Sequence, residues 1–176
     1  MAADQSGTEV AGREITIERI FDAPLDLVWK TWTEPERIRR WWGPKDFTCP
    51  VAKSDFRVGG AYLYCMRSAG GQDYWSGGTF REIVPMERIV ATDHFADEHG
   101  NKVSPSHYGM EGDWPADDLV VTVTFEDLDG KTKLTLRHAG FPKADLGETE
   151  GWNQSLDKFA ASLRAQQRAR AEETRS

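Results

Sequence analysis

LVVTVTFEDLDGKTKLTLRH, residues 119–138, is two short alternating runs joined by Asp127-Leu128-Asp129-Gly130-Lys131. Leu119, Val121, Val123 and Phe125 recur every second residue, so they share one face, while Thr122 and Thr124 fall on the other. Leu134 and Leu136 continue the apolar face after the turn, and His138 falls in register with them. Two strands joined by a five-residue turn predict an antiparallel hairpin with one buried face. Downstream, Trp152, Leu156, Phe159 and Leu163 step by four, three and four, the spacing of one helix face. A helix is expected from about Lys143 to residue 168, packed by that stripe against the apolar side of the sheet.

Upstream, Ile15, Ile17 and Phe21 alternate with charged or hydroxyl neighbours, predicting a first strand over 13–21. Asp22-Ala23-Pro24 offers a capping oxygen and a fixed φ at a helix entry, and Leu25, Val28, Trp29 and Trp32 follow at helical spacing. Thr33-Glu34-Pro35-Glu36 has the form of a capping box, with Ile38, Trp41 and Trp42 behind it and a stop at Gly43-Pro44. Further strands are predicted over 47–55, 61–67, 74–84 and 88–95, with glycines at 59, 60, 70 and 71 marking reversals. Residues 96–118 carry no period and form a candidate lid.

The chain has 176 residues with 39% hydrophobic and 29% charged side chains, the balance of one globular domain rather than of a disordered or collagenous chain. Residues 1–12 are expected to be a flexible arm, 13–168 the domain and 169–176 a frayed tail. Twenty-two basic against 29 acidic residues give a net charge of -7, which repels phosphate backbones, so no nucleic acid partner is expected. Without a leader or an apolar run long enough to cross a bilayer, the expectation is a cytoplasmic protein with no membrane insertion. Cys49 and Cys65 are expected as free thiols.

Five ordered motifs carry a resemblance spanning Arg13 to Leu163. They are Phe21-Asp22-Ala23-Pro24 with Val28-Trp29; Arg40-Trp41-Trp42-Gly43-Pro44; Asp55-Phe56-Arg57-Val58-Gly59-Gly60; Glu82-Ile83-Val84-Pro85 with Glu87-Arg88-Ile89; and Gly151-Trp152 with Leu156. Together they resemble the activator of Hsp90 ATPase homologue 1-like (AHSA1-like) family of the SRPBCC, or START/Bet v 1-like, superfamily. The resemblance implies an α+β helix-grip fold: a curved antiparallel sheet wrapped around a long C-terminal helix, with two short helices after strand one. It further implies an apolar cavity between sheet and helix that takes lipids, sterols, polyketides or other hydrophobic molecules, and in a minority of members catalyses cyclisation, dehydration or hydrolysis. The eukaryotic co-chaperone that names the family engages Hsp90 through an additional N-terminal domain. Only a dozen residues precede strand one here, so an Hsp90 partnership is not expected.

The candidate cavity lining is Trp42, where the short helices close the open end of the sheet; Tyr62, Tyr64, Met66, Trp75, Phe80, Asp93, Phe95, Leu119, Val121, Val123, Leu136 and His138 from the strands; and Trp152, Leu156 and Phe159 from the helix stripe. Each of these aromatics fits a plain core as well as a pocket. His138 is the titratable candidate at the end of an apolar row, with a bond to a backbone carbonyl beside Gly140 as the competing account. Asp93, in register with Ile89, either ends the buried region, pairs with a cation such as Arg19, or carries out proton chemistry. His94, His99 and His107 lack metal-ligand spacing, and no phosphate loop or nucleophile elbow is present, so neither metal nor cofactor is expected. Three functions follow: a carrier of a small hydrophobic molecule, a cyclase- or hydrolase-type enzyme using His138, Asp93 or a tyrosine on an aromatic or polyketide-like substrate, or a stress-related or chaperone-associated interaction protein. A homodimer fits the edge strands and tryptophan-rich helices.

Overall fold

The computed structural model describes residues 13–112, 114, 117–142 and 147–175. Seven strands, β1 (Arg13–Phe21), β2 (Thr48–Ser54), β3 (Ala61–Arg67), β4 (Asp73–Val84), β5 (Arg88–Ala96), β6 (Leu119–Asp127) and β7 (Thr132–Phe141), form one antiparallel sheet in the order β1-β7-β6-β5-β4-β3-β2. Helices α1 (Leu25–Thr33) and α2 (Pro35–Ile38) lie between β1 and β2, which are the sheet's opposite edges, and α3 (Glu148–Glu173) follows β7. The sheet curls around α3, the helix-grip arrangement of the α+β class. Leu156, Phe159 and Leu163 of α3 are buried against Phe21, Trp41 and the inner face of β6 and β7.

Both predicted side-chain caps are absent. Pro24 is the N-cap of α1 and no side chain caps that end. Thr33 is still helical, so its hydroxyl donates back to Trp29 O (2.9 Å) and leaves Glu34 as the uncapped N-cap of α2. The second helix is a single turn ending at Ile38, with bent backbone through Trp41 and Gly43 at φ 100°. At the other end, α3 runs to Glu173, past the expected 168. The predicted helix start at Lys143 and the arm 1–12 lie outside the described residues.

Cys49 and Cys65 are both buried and unbridged. Burial, as the largest cause, pushes each thiol up to about 11. A thiol reagent at neutral pH meets neither a thiolate nor an open path. Labelling of the native protein should therefore proceed only through unfolding, with a rate that follows global stability in a denaturant series; rapid stoichiometric labelling without denaturant would contradict this burial.

Candidate functional site

Beneath α3 the curled sheet leaves a partly open cavity of about 50 Å³. Its floor is built by alternation: Tyr62 and Tyr64 of β3, Phe80 of β4, Ile89 and Ala91 of β5, and Val121 and Val123 of β6 project to the inner face. Trp32 and Thr33 at the end of α1, Trp42 after α2, Phe56 of the β2–β3 turn and Trp152 of α3 complete the wall. Trp32 stacks on Trp152 (centroids 6.2 Å, planes 9° apart), and Trp42 meets Trp152 edge-on at 5.7 Å. Trp42 also packs edge-on against Tyr64 at 4.8 Å. Lys158 Nζ fastens α3 to the segment carrying Trp42 by donating to Pro44 O (3.1 Å) and Phe47 O (3.0 Å). Burial lowers this amine from its ordinary range.

Seven of the expected lining residues line the cavity: Trp42, Tyr62, Tyr64, Phe80, Val121, Val123 and Trp152. Leu136, Leu156 and Phe159 face inward, but each is completely buried in the core, where neighbours fill the space around it. Leu119 is buried farther along β6. Trp75 is in phase with Cys65 and Ala96, opposite to Tyr62 and Tyr64, and so belongs to the outer face. Met66 sits instead against Gly43, and Phe95 against Tyr108 and Trp114. Trp32, Thr33, Phe56, Ile89 and Ala91 are lining residues absent from the expected set. Ile89 and Ala91 share the phase of Asp93 and were accessible to the alternation rule; the other three come from a helix end and a turn, where period two has no meaning.

Residues 96–112 do not line the cavity. Tyr108 pins the segment to the sheet, its hydroxyl donating to Ala96 O (2.5 Å) and accepting from Trp75 N (3.2 Å). This part of the predicted lid is a fastened loop.

Asp93 and His138, two strands apart, meet diagonally across β6: His138 Nε2 lies 2.8 Å from Asp93 Oδ2. On its other side, Trp152 Nε1 donates to His138 Nδ1 at 2.9 Å. An indole N–H can only donate, so Nδ1 must offer a lone pair, the ring proton sits on Nε2, and Nε2–H donates to the carboxylate. The expected bond from His138 to a backbone carbonyl beside Gly140 is therefore replaced by two side-chain partners. Arg19 does not pair with Asp93. Four residues of β1, roughly 13 Å of strand, separate it from Ile15, the residue opposite His138. Its guanidinium instead donates to Asn153 O (3.1 Å) and Asp157 Oδ1 (3.0 Å) of α3.

Tyr62 donates to Thr92 O at 2.6 Å. Burial first, and the nearby Asp93 charge second, hold its hydroxyl well above the ordinary phenol range, so it remains a neutral donor. Burial also raises the Tyr64 hydroxyl. Among the described residues no three His, Cys, Asp or Glu side chains cluster as metal ligands, and no helix is long and apolar enough to cross a membrane.

A long helix gripped by a curled seven-stranded sheet, with a small apolar gap between them, defines the helix-grip class of ligand-binding fold. Residues 22–164 match the family described as activator of Hsp90 ATPase homolog 1-like protein, and the chain belongs to that family. Among solved structures, a Chromobacterium violaceum protein is 30% identical with a TM-score of 0.69, covering 86% of this chain and 97% of its own. An Arthrobacter aurescens protein is 27% identical with a TM-score of 0.74, covering 90% of each chain. The AHSA1 protein of Silicibacter pomeroyi shares the fold at 22% identity and a TM-score of 0.67, over 88% of this chain and 99% of its own. No functionally curated protein matches the chain.

Proposed function

We propose that this protein binds a small, flat, mostly aromatic molecule between sheet and α3, without transforming it. The observation that carries this reading is the wall of the cavity: seven of its twelve lining residues present aromatic rings, four of them (Trp32, Trp42, Phe56 and Trp152) half-buried. Rings held at edge and tilted angles favour an aromatic guest over an alkyl chain. The volume limits its size. A cavity of about 150 Å³ admits benzene, three times the 50 Å³ present here, so even one ring requires the half-buried tryptophans to give way, and a sterol or long lipid is disfavoured.

The cyclase or hydrolase alternative has less support, because both His138 nitrogens are engaged, one by Asp93 and one by Trp152, and neither His138 nor Asp93 lines the cavity. For the interaction alternative, among the described residues the exposed large hydrophobics are Ile20 on edge strand β1 and Val58 in the β2–β3 turn at the far side of the sheet, which make no continuous patch. Buried, unbridged thiols accord with a cytoplasmic setting.

Indole is a suitable probe. Added to ¹⁵N-labelled protein, it should shift the indole N–H resonances of Trp32, Trp42 and Trp152, and native mass spectrometry of protein from its own host should reveal a co-purified aromatic guest. Ala91→Leu fills the floor at an overpacking cost of roughly 1–3 kcal/mol and should abolish the indole shifts while the protein stays folded. Absence of both a co-purified guest and any response to indole across the pH range would refute the proposal.

A further inference from the structure

The Asp93–His138–Trp152 chain joins a titratable pair that does not touch the cavity to an indole that forms its wall. We propose that Asp93 and His138 are positioning residues that hold Trp152 in the closed wall while His138 is neutral, and that protonation of His138 releases the indole and widens the cavity. This rests on the binding reading above.

The stereochemistry carries the argument. Trp152 Nε1 can only donate, and it donates to the lone pair of His138 Nδ1 at 2.9 Å. When that lone pair takes a proton, two N–H groups face each other at the same distance, so the bond cannot persist. The imidazolium keeps its other bond, which becomes a charge-assisted contact to Asp93 (2.8 Å). His138 is held between Asp93 and the Phe141 ring, 4.5 Å away, and belongs to a strand paired on both sides. Trp152 is half-buried and on the helix, so the indole is the member with space to move. Its departure removes the partner stacked on Trp32 and the edge packed on Trp42.

Among the described residues, the surrounding charges do not supply a competing switch. From β5 the facing charge is Asp93 itself. From β3 it is the Tyr62 hydroxyl, kept neutral by burial. Arg13 of β1, over the Phe141 ring at 5.6 Å, pairs with Glu148 of α3 at 2.6 Å. Asp118, ahead of β6, pairs with Lys102 at 2.5 Å. His138 with its Nδ1 lone pair free accepts from Trp152 and closes the wall, and His138 with a proton on Nδ1 cannot, so acidification favours the open wall.

Two measurements separate the gate from the binding reading. In NMR, the Trp152 indole proton, assigned by its loss in Trp152→Phe, should change in a single transition that coincides with titration of the His138 ring, without ligand. His138→Gln keeps an oxygen to accept from Trp152 and an amide to donate to Asp93, and it should abolish that transition. Indole should bind the wild type more tightly on the acid side by about fivefold, the worth of one neutral hydrogen bond, and with no pH dependence in His138→Gln. Trp152→Phe, which removes the latch, should bind indole with no pH dependence whatever its absolute affinity, and provides the same comparison should His138→Gln not fold. A Trp152 proton indifferent to His138 titration, or a transition that survives in a folded His138→Gln, overturns the gate even if indole binds. A moving Trp152 with neither a co-purified guest nor indole binding at any pH upholds the gate and overturns the binding reading.

Discussion

Phe159→Ala is expected to destabilise the protein by about 3–5 kcal/mol, the cost of deleting a fully buried aromatic and leaving a void. Phe159 has no exposure and its ring meets Phe21 at 5.0 Å, Trp41 at 4.9 Å and Trp32 at 5.5 Å. These neighbours come from β1, from the turn after α2 and from α1, so the residue joins all three to α3. None of them can collapse easily into the vacated space, because Trp41 is itself fully buried and its Nε1 is committed to Thr31 O at 2.9 Å. In a chain this long, each kcal/mol lowers Tm by roughly 2–4 °C, so a fall of roughly 6–20 °C should appear in a thermal melt. Ile20→Ala on the same sheet, where Ile20 is 62% exposed, should stay within about 0.5 kcal/mol of the parent. The void also lies next to Trp32, a wall residue of the cavity. If the cavity is the binding site, Phe159→Ala should bind indole more tightly than the parent at equal folded fraction. A loss of stability below about 1 kcal/mol would mean that the grip of the sheet on α3 does not depend on this ring.

Gly78→Ala is expected to cost about 3 kcal/mol or more, close to the upper end for overpacking. A Cβ at this position would stand 2.0 Å from Thr92 O and 2.9 Å from Tyr62 Cε1. The first is backbone and cannot move aside without separating β4 from β5. The second belongs to the ring that crosses Gly78 to reach Thr92 O with its hydroxyl at 2.6 Å. Gly78 thus acts through space alone, since its φ lies outside the left-handed region, and the substitution strikes both the sheet and the cavity floor. Urea denaturation is the direct measure. A Gly78→Ala protein of parental stability would show that the two strands have slack at this point. Tyr62→Phe separates the contributions, because it removes only the hydrogen bond and should cost about 1 kcal/mol.

Much of this architecture was legible in periodicity. Leu119, Val121, Val123 and Phe125 alternate in the chain and alternate in the sheet, and the four-three-four spacing of Trp152, Leu156, Phe159 and Leu163 marks the stripe that α3 presents to it. Such patterns survive folding because the pleat and the helical turn are local, and each is repeated many times. Capping was less legible. Thr33 has the residue types of a capping box around it, yet α1 continues through it, and the hydroxyl found a closer acceptor in its own helix. The site was legible only in part. Alternation selected inward faces correctly over most of β3, β5 and β6, but it could not distinguish an inward residue that touches the gap, such as Val121, from one enclosed by neighbours, such as Leu136.

The amino-acid sequence alone determined the order of elements, the inward faces of the central strands, the helix stripe and the family, because each follows from contacts within a few residues or from motifs in the chain. Tertiary structure alone decided that Asp93 pairs with His138 and not with Arg19, that an indole from α3 completes that pair, and that only about 50 Å³ remains open beneath the helix. Those outcomes depend on the stagger between strands that are distant in the chain and on how far the sheet curls, and no local period encodes either quantity.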